Sequence, residues 1–457
     1  MSTAHPSLIP RPQGSLSGLP LLAFWMVIFS LVPIAAMFGG MVLLLMSLSL
    51  VLAAMVYERP EESAGAGILY LFACNVLLPH SARFDGITKP WEMYYWAAGL
   101  LIVTAGGVAR LGLRRVLTVP RSAKVLLLVA FAAALYGLTH GATFSYVVRQ
   151  FYGILLLVVY FGIGLHSGSE ELLLRRIRTF GVLIAFCFLI YYVAVFGEYG
   201  FHKEVGFNAT EACLLAIVLF ISGTERKKPA WVVGGTALLL VPALLFMRGA
   251  VLTFLMALPI ALAIKLRSIK LRILCWSAVA IVALPAIYPP VAQTVIDQIS
   301  RFPGAEKIVP PGIEMADTLL DRVVQLDAAV TTVQAHPWLG AGLGSDIEFE
   351  SAINGSQQVA FVDSGWAYLL QKMGLVGAAA FLWFLFTTLR SIRRESIALS
   401  ACLLSTTIVT LFSQPVFFHF TTSPFIGAFA GLLLAKKNIA TTKASHPSIS
   451  ALDRTRI

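Results

Sequence analysis

Residues 265–290 read KLRSIKLRILCWSAVAIVALPAIYPP: a basic cluster, an apolar run over 272–289, and a proline-marked exit. An apolar run of this length crosses about 30 Å of hydrocarbon as a helix. The cations at one end assign that end to the cytoplasm. Beyond Pro290 comes a stretch, 290–362, that holds no spanning run. Working outward from this boundary settles the class of the whole chain. Of 457 residues, 58% are hydrophobic and only 12% charged, whereas a soluble domain carries roughly a quarter charged residues. The expected fold is therefore all-α, a polytopic transmembrane helix bundle with one large outer loop containing short helices.

Further apolar runs fall at about 19–38, 41–57, 66–80, 92–109, 124–140, 147–166, 179–197, 209–224, 231–247, 249–265, 363–386, 396–417 and 421–435, which with 272–289 makes about 14 spans. Basic clusters occupy every second connection. They are Arg110, Arg114, Arg115, Arg121 and Lys124; Arg175, Arg176 and Arg178; Arg226, Lys227 and Lys228; Lys265, Arg267, Lys270 and Arg272; Arg390, Arg393 and Arg394; and the tail from Lys436. This alternation predicts a multi-pass protein with both termini cytoplasmic and the 290–362 loop outside. The expected layout is a cytoplasmic tail at 1–18, a bundle at 19–289, the outer loop at 290–362, C-terminal spans at 363–435 and a basic tail at 436–457. Leu19 to Phe38 is too long for a signal-peptide core and reads as a retained span.

The net charge of +11 resides in those short connections, which excludes a nucleic-acid-binding surface. The five cysteines (Cys74, Cys187, Cys213, Cys275 and Cys402) all lie in apolar runs without metal-ligand spacing and read as packing residues.

Cations on the outer side escape the topological rule and are functional candidates. They are Arg149, Lys203 beside His202, Arg248 and Arg322. The rival use of any one of them is snorkelling to lipid phosphates. In the loop, Asp317 reads as the N-cap of a helix running to about Ala335 and stopped by Pro337. His336-Pro337-Trp338-Leu339-Gly340-Ala341-Gly342-Leu343-Gly344 follows. Its glycine alternation suits tight turns or close approach and, without a strand before it and a helix after, is no nucleotide fingerprint. Asp363-Ser364-Gly365-Trp366 opens the next span, where Asp363 is either a functional carboxylate or a helix N-cap. Gly374 further on reads as a packing glycine.

At these residues the chain resembles the O-antigen polymerase and O-antigen ligase family of bacterial inner-membrane proteins. The resemblance rests on Arg322, HPWLGAGLG (336–344) and VDSGWAYLLQKMGLVG (362–377), with EVGFN (204–208) leading into a span and FMRGA (246–250) as a turn. It covers roughly residues 140–390. It implies a metal-independent, cofactor-free glycosyltransferase on the periplasmic face of the inner membrane. The donor would be a glycan on undecaprenyl diphosphate, and the acceptor the next lipid-linked repeat unit for a polymerase or lipid A-core for a ligase. A chain-length regulator would be a possible partner. Guanidinium groups suit a diphosphate leaving group, so Arg248, Arg322, Arg149 and Lys203 take that role by resemblance. Asp363, His336 and Glu211 are the candidate bases, and Trp338 and Trp366 the candidate sugar-stacking rings, with interfacial anchoring as the rival use. Ligases carry His where this chain has Asp363, which favours a polymerase of O-antigen or exopolysaccharide repeat units. A polysaccharide or lipid-linked-sugar transporter is the rival of another class, but transporters show internal repeats and mid-membrane charges, and neither is evident.

Overall fold

The computed structural model describes residues 41–63, 65–67, 69–70, 90–167, 170–177, 179, 209–244, 248–287, 315–351, 355–359, 364–392, 394–412, 416–419 and 422–445. The runs at 19–38 and 179–197 and most of 66–80 lie outside these residues, as do Lys203 and Asp363.

The architecture is helical. In chain order the main helices are α1 (Met41–Glu58), α2 (Pro90–Leu111), α3 (Arg121–Thr139), α4 (Phe144–Ser167), α5 (Ala209–Glu225), α6 (Pro229–Leu244), α7 (Arg248–Lys265), α8 (Ile269–Ile287), α9 (Met315–Ala335), α10 (Gly365–Leu389), α11 (Ile397–Phe412) and α12 (Ser423–Ser445). Apart from α9, each coincides with an apolar run of the sequence. By length and composition α3, α4 and α10 are apolar enough to cross a membrane, and the other described apolar helices are shorter.

Lipid gives helices no hydrophobic reason to associate, so close backbone approach at small residues must supply the contact. The α4–α12 pair shows this most fully. Gly427 and Gly431 of α12 lie against the Leu157 and Phe161 carbonyls of α4, and Gly164 of α4 against the Ala428 carbonyl. A Cβ at any of these three would force the helices apart.

Two ends of the bundle differ in chemistry. One, the basic end, carries the connections rich in Lys and Arg. There Arg176 donates from Nε and Nη2 to the two carboxylate oxygens of Glu62 at 2.8 and 2.6 Å, and the Ser396 hydroxyl donates to Glu170 at 2.7 Å. The other, the motif end, gathers the C-termini of α3 and α11 and the N-termini of α4, α5, α7 and α10.

The segment between α8 and α10 departs from the all-α expectation. Residues Ile347–Ser351 (β1) and Gly355–Val359 (β2) form a two-stranded antiparallel sheet, with Ile347 opposite Val359 and Ser351 opposite Gly355. The cause is a period of two: Ile347 and Phe349 are buried and Glu348 and Glu350 exposed. The loop helix also begins earlier than expected. With α9 starting at Met315, Asp317 sits inside the first turn and is not its N-cap. Its stop at Ala335, two residues before Pro337, is as expected.

Candidate functional site

The glycine motif is built into the bundle. Gly340, Gly342 and Gly344 have φ of +63°, +88° and +80°, the left-handed region that glycine enters without steric cost. Gly374 is not a packing residue within regular helix, as the sequence suggested. It has φ +59° and ψ −159° and breaks α10. Such a break in a membrane helix must have its backbone groups satisfied by protein, and the motif does so. Leu375 N–H donates to the Pro337 carbonyl at 2.9 Å and Val376 N–H to that of Trp338 at 3.2 Å, while Ala341 N–H donates to the Gln371 carbonyl at 2.8 Å.

The same segment bonds two further helices. Leu343 N–H donates to the Ala133 carbonyl of α3 at 3.0 Å, and Gly344 N–H to Gln150 Oε1 of α4 at 2.7 Å. Ala133 and Gln150 each lie six residues inside their helix ends, so the motif enters to roughly 9 Å at about 1.5 Å per residue. Cβ atoms at 340, 342 and 344 would meet the Gln371 carbonyl, the Gly137 backbone and Val147 respectively. These glycines therefore serve close docking against three helices and do not shape a detached lid. Lys372, fully buried, donates from Nζ to the Ser345 carbonyl just beyond the motif, with the Asp346 carboxylate as its electrostatic partner.

Beside this knot is a second polar group of residues. Arg149, half-buried on α4, is within electrostatic reach of Tyr146, of Tyr368 on α10 and of His419 in the connection between α11 and α12. Tyr368 is buried and stacks on Phe418, ring centroids 5.0 Å apart. Its hydroxyl and the buried side-chain amide of Gln371 have no hydrogen-bond partner among the described residues. The N-cap of α10 is Ser364, whose hydroxyl accepts the Ala367 N–H at 3.4 Å. This corrects the capping alternative for Asp363. Gly365 then packs against the Thr410 carbonyl of α11. Desolvation, followed by the positive charge of Arg149, lowers the His419 pKa to about 4, so its imidazole is neutral at physiological pH.

Glu211 is 2% exposed in the first turn of α5. The Cys213 thiol donates to the Ala250 carbonyl of α7 at 2.8 Å. That contact sets the starts of α5 and α7 side by side, with Glu211 and Arg248 each two residues upstream of it. The backbones of Arg248 and Arg322 lie in α7 and α9, and their side chains are outside the described part. His336 is exposed, with Nδ1 3.2 Å from the Tyr136 hydroxyl, and His140 stacks on the Tyr136 ring at 4.0 Å between centroids. Trp338 is 70% exposed, whereas Trp366 is half-buried against the core.

Arg149 is thus joined by Tyr368 and His419, neither of which stood out in the sequence. A tyrosine in an apolar run has no visible partner until the helices are assembled. His419 carried a weak signal: it is a histidine in a short connection on the side lacking basic clusters. No curated protein matches the chain. Residues 233–382, about a third of the chain, match the family model described as O-antigen ligase. That segment runs from α6 through Arg248, Arg322 and the glycine motif to the broken part of α10, and over it the chain is similar to the O-antigen ligase family.

Proposed function

We propose that this protein is an inner-membrane glycosyltransferase that polymerises undecaprenyl-diphosphate-linked repeat units of an O-antigen or exopolysaccharide on the periplasmic face. The observation that carries the proposal is the convergence of Arg149, Tyr368 and His419 beside the docked glycine motif, at the end of the bundle where α5 and α7 begin with Glu211 and Arg248. The alternation of basic connections supports an outer placement for that end.

In this reading the bond between the anomeric carbon and the diphosphate oxygen breaks as the acceptor hydroxyl oxygen attacks that carbon. The electron pair leaves with the diphosphate, and Arg149, Arg248 and Arg322, with Lys203, stabilise the charge it gains. A base removes the acceptor proton. Asp363, next in sequence to the N-cap Ser364, takes that role, with Glu211 and His336 as the other candidates. Trp338 presents an exposed ring to the sugars, and Trp366 stands close to the core. The match to a model described as O-antigen ligase favours a second reading, transfer of the finished glycan to lipid A-core. Asp363 in place of the ligase histidine favours polymerisation.

The test is Arg149→Ala in a strain deleted for the chromosomal copy, scored on a glycan gel alongside carrier-lipid extracts. The expected outcome is loss of long chains at normal protein level, with single repeats on the acceptor. Long chains stranded on the carrier lipid would assign the ligase activity, and a normal ladder would refute both readings.

A further inference from the structure

A cleft of about 730 Å³ opens at the motif end beside the docked motif. One wall is α9, with Asp327, Thr331 and Thr332. The other is β1 and the residues just after the motif, with Ser345, Asp346 and Glu348. The turn between α3 and α4, with His140 and Thr143, closes the floor. The volume falls within the range of small-molecule sites, about 300–1,000 Å³.

Its chemistry is one-sided. Among the described residues three carboxylates line it and no lysine or arginine does. The hydroxyls of Thr331, Thr332 and Ser345 donate to the carbonyls of Asp327, Ala328 and Gly342, so each presents its oxygen as an acceptor. Asp327 and Glu348 are exposed. Acceptors spaced along two walls suit a ligand that is rich in hydroxyl or ammonium donors and extended along the groove. A single metal ion would need these groups gathered, and among the described residues no set of three or more Asp, Glu, His or Cys is close enough for that. An anionic ligand would meet the exposed carboxylates of Asp327 and Glu348, with Asp346 offset by the buried Lys372, whereas a cationic or neutral one gains charge-assisted hydrogen bonds.

We propose that this cleft is a carbohydrate subsite that holds a segment of the substrate glycan and selects neutral or amino sugars over acidic ones. The assignment rests on the transferase reading for its biological ligand, but not for its chemistry. Connection to the transfer centre is short. Gly344, in the cleft lining, donates to Gln150, the neighbour of Arg149 on α4.

The experiment uses the full chain in lipid nanodiscs, with glucosamine tetramer, cellotetraose and galacturonate tetramer as probes in equilibrium binding at low salt. The glucosamine tetramer should bind at least roughly tenfold more tightly than the galacturonate tetramer, about 1.4 kcal/mol, with cellotetraose between. That preference should shrink as added salt shortens the screening length. The double variant Asp327→Asn/Glu348→Gln changes exposed side chains and should fold normally by gel filtration while losing the preference. Equal binding of the three tetramers overturns the proposal, as does absence of binding at millimolar concentration or a preference untouched by the double variant. Arg149→Ala separates the two ideas, since Arg149 does not line the cleft. A normal glycan ladder in Arg149→Ala beside lost tetramer preference in the double variant would fell the transferase reading and leave the cleft standing. The reverse pattern would fell the cleft alone.

Discussion

Gly374→Ala tests whether the break in α10 and the glycine motif form one unit. The backbone at Gly374 has φ +59° and ψ −159°, a region that residues with a Cβ occupy only at a cost of about 1–3 kcal/mol. A Cβ there would also lie 2.5 Å from both the Trp338 carbonyl oxygen and the Gly340 nitrogen, closer than van der Waals contact permits. Those atoms belong to the segment that makes the bonds Leu375–Pro337, Val376–Trp338 and Ala341–Gln371. At about 0.5–1.5 kcal/mol each, losing the three together with the backbone strain costs about 3–7 kcal/mol. Gly112→Ala is the internal control. Gly112 also has positive φ, +84°, but nothing lies within 4 Å of its built Cβ, so only the backbone cost of about 1–3 kcal/mol applies. Both variants would be unfolded by denaturant in detergent micelles alongside the wild type, with free energies from the transition midpoints. Equal destabilisation of the two would refute the reasoning, because it would mean that the motif contributes nothing to holding the break.

The pH dependence of stability carries a signature of His419. Its folded pKa, about 4, lies below the ordinary histidine value of 6.5, so the unfolded chain takes up the proton first. Stability from this group is complete above pH about 6.5 and is lost as pH falls towards 4. His419→Gln should flatten denaturation midpoints across that window, and an unchanged pH profile would contradict the assignment. At the basic end, Arg176→Ala strands Glu62, which is 4% exposed, and should cost about 3–5 kcal/mol. Arg176→Gln/Glu62→Gln should recover part of that in the same denaturation assay. A single variant as stable as wild type would show that the pair is not load-sharing.

How much was legible differs by element for physical reasons. Membrane helices announce themselves because lipid demands a continuous apolar run, so α1, α2, α7 and α10 fall close to their sequence spans. Charge alternation likewise separates the basic end from the motif end before any coordinates. The hairpin was written in the alternation of Ile347, Glu348, Phe349 and Glu350, yet a helix-dominated chain draws attention away from a five-residue period of two. The break at Gly374 could not be read from its neighbours. Glycine is common in membrane helices for packing, and only the facing Trp338 and Gly340 distinguish a break from a contact. Arg149 was visible as a cation on the wrong side of the charge rule. Its companions Tyr368 and His419 were not, because their significance is created by the pairing of α4 with α10 and with the connection after α11.

The docking of the motif also limits how the segment between α8 and α10 can move. A lid that lifted away with residues 340–344 would break the bonds of Ala341 to Gln371, Leu343 to Ala133 and Gly344 to Gln150, and those of Pro337 and Trp338 to the broken helix. Five such bonds at about 0.5–1.5 kcal/mol each amount to about 3–7 kcal/mol, before the burial of Lys372 against Ser345 is counted. At about 1.4 kcal/mol per factor of ten, the lifted state would be populated at most at roughly one part in a hundred. Any opening of the cleft would therefore have to come from its walls, α9 and the β1–β2 hairpin, and not from the motif. The centre at Arg149 and Tyr368 stays fixed to the motif through Gln150 and Gln371, so an opening motion changes the width of the cleft and not its distance from Arg149. Amide exchange separates the alternatives: a docked motif leaves Ala341, Leu343 and Gly344 slow while the hairpin exchanges fast, and a lifting lid makes all of them exchange together.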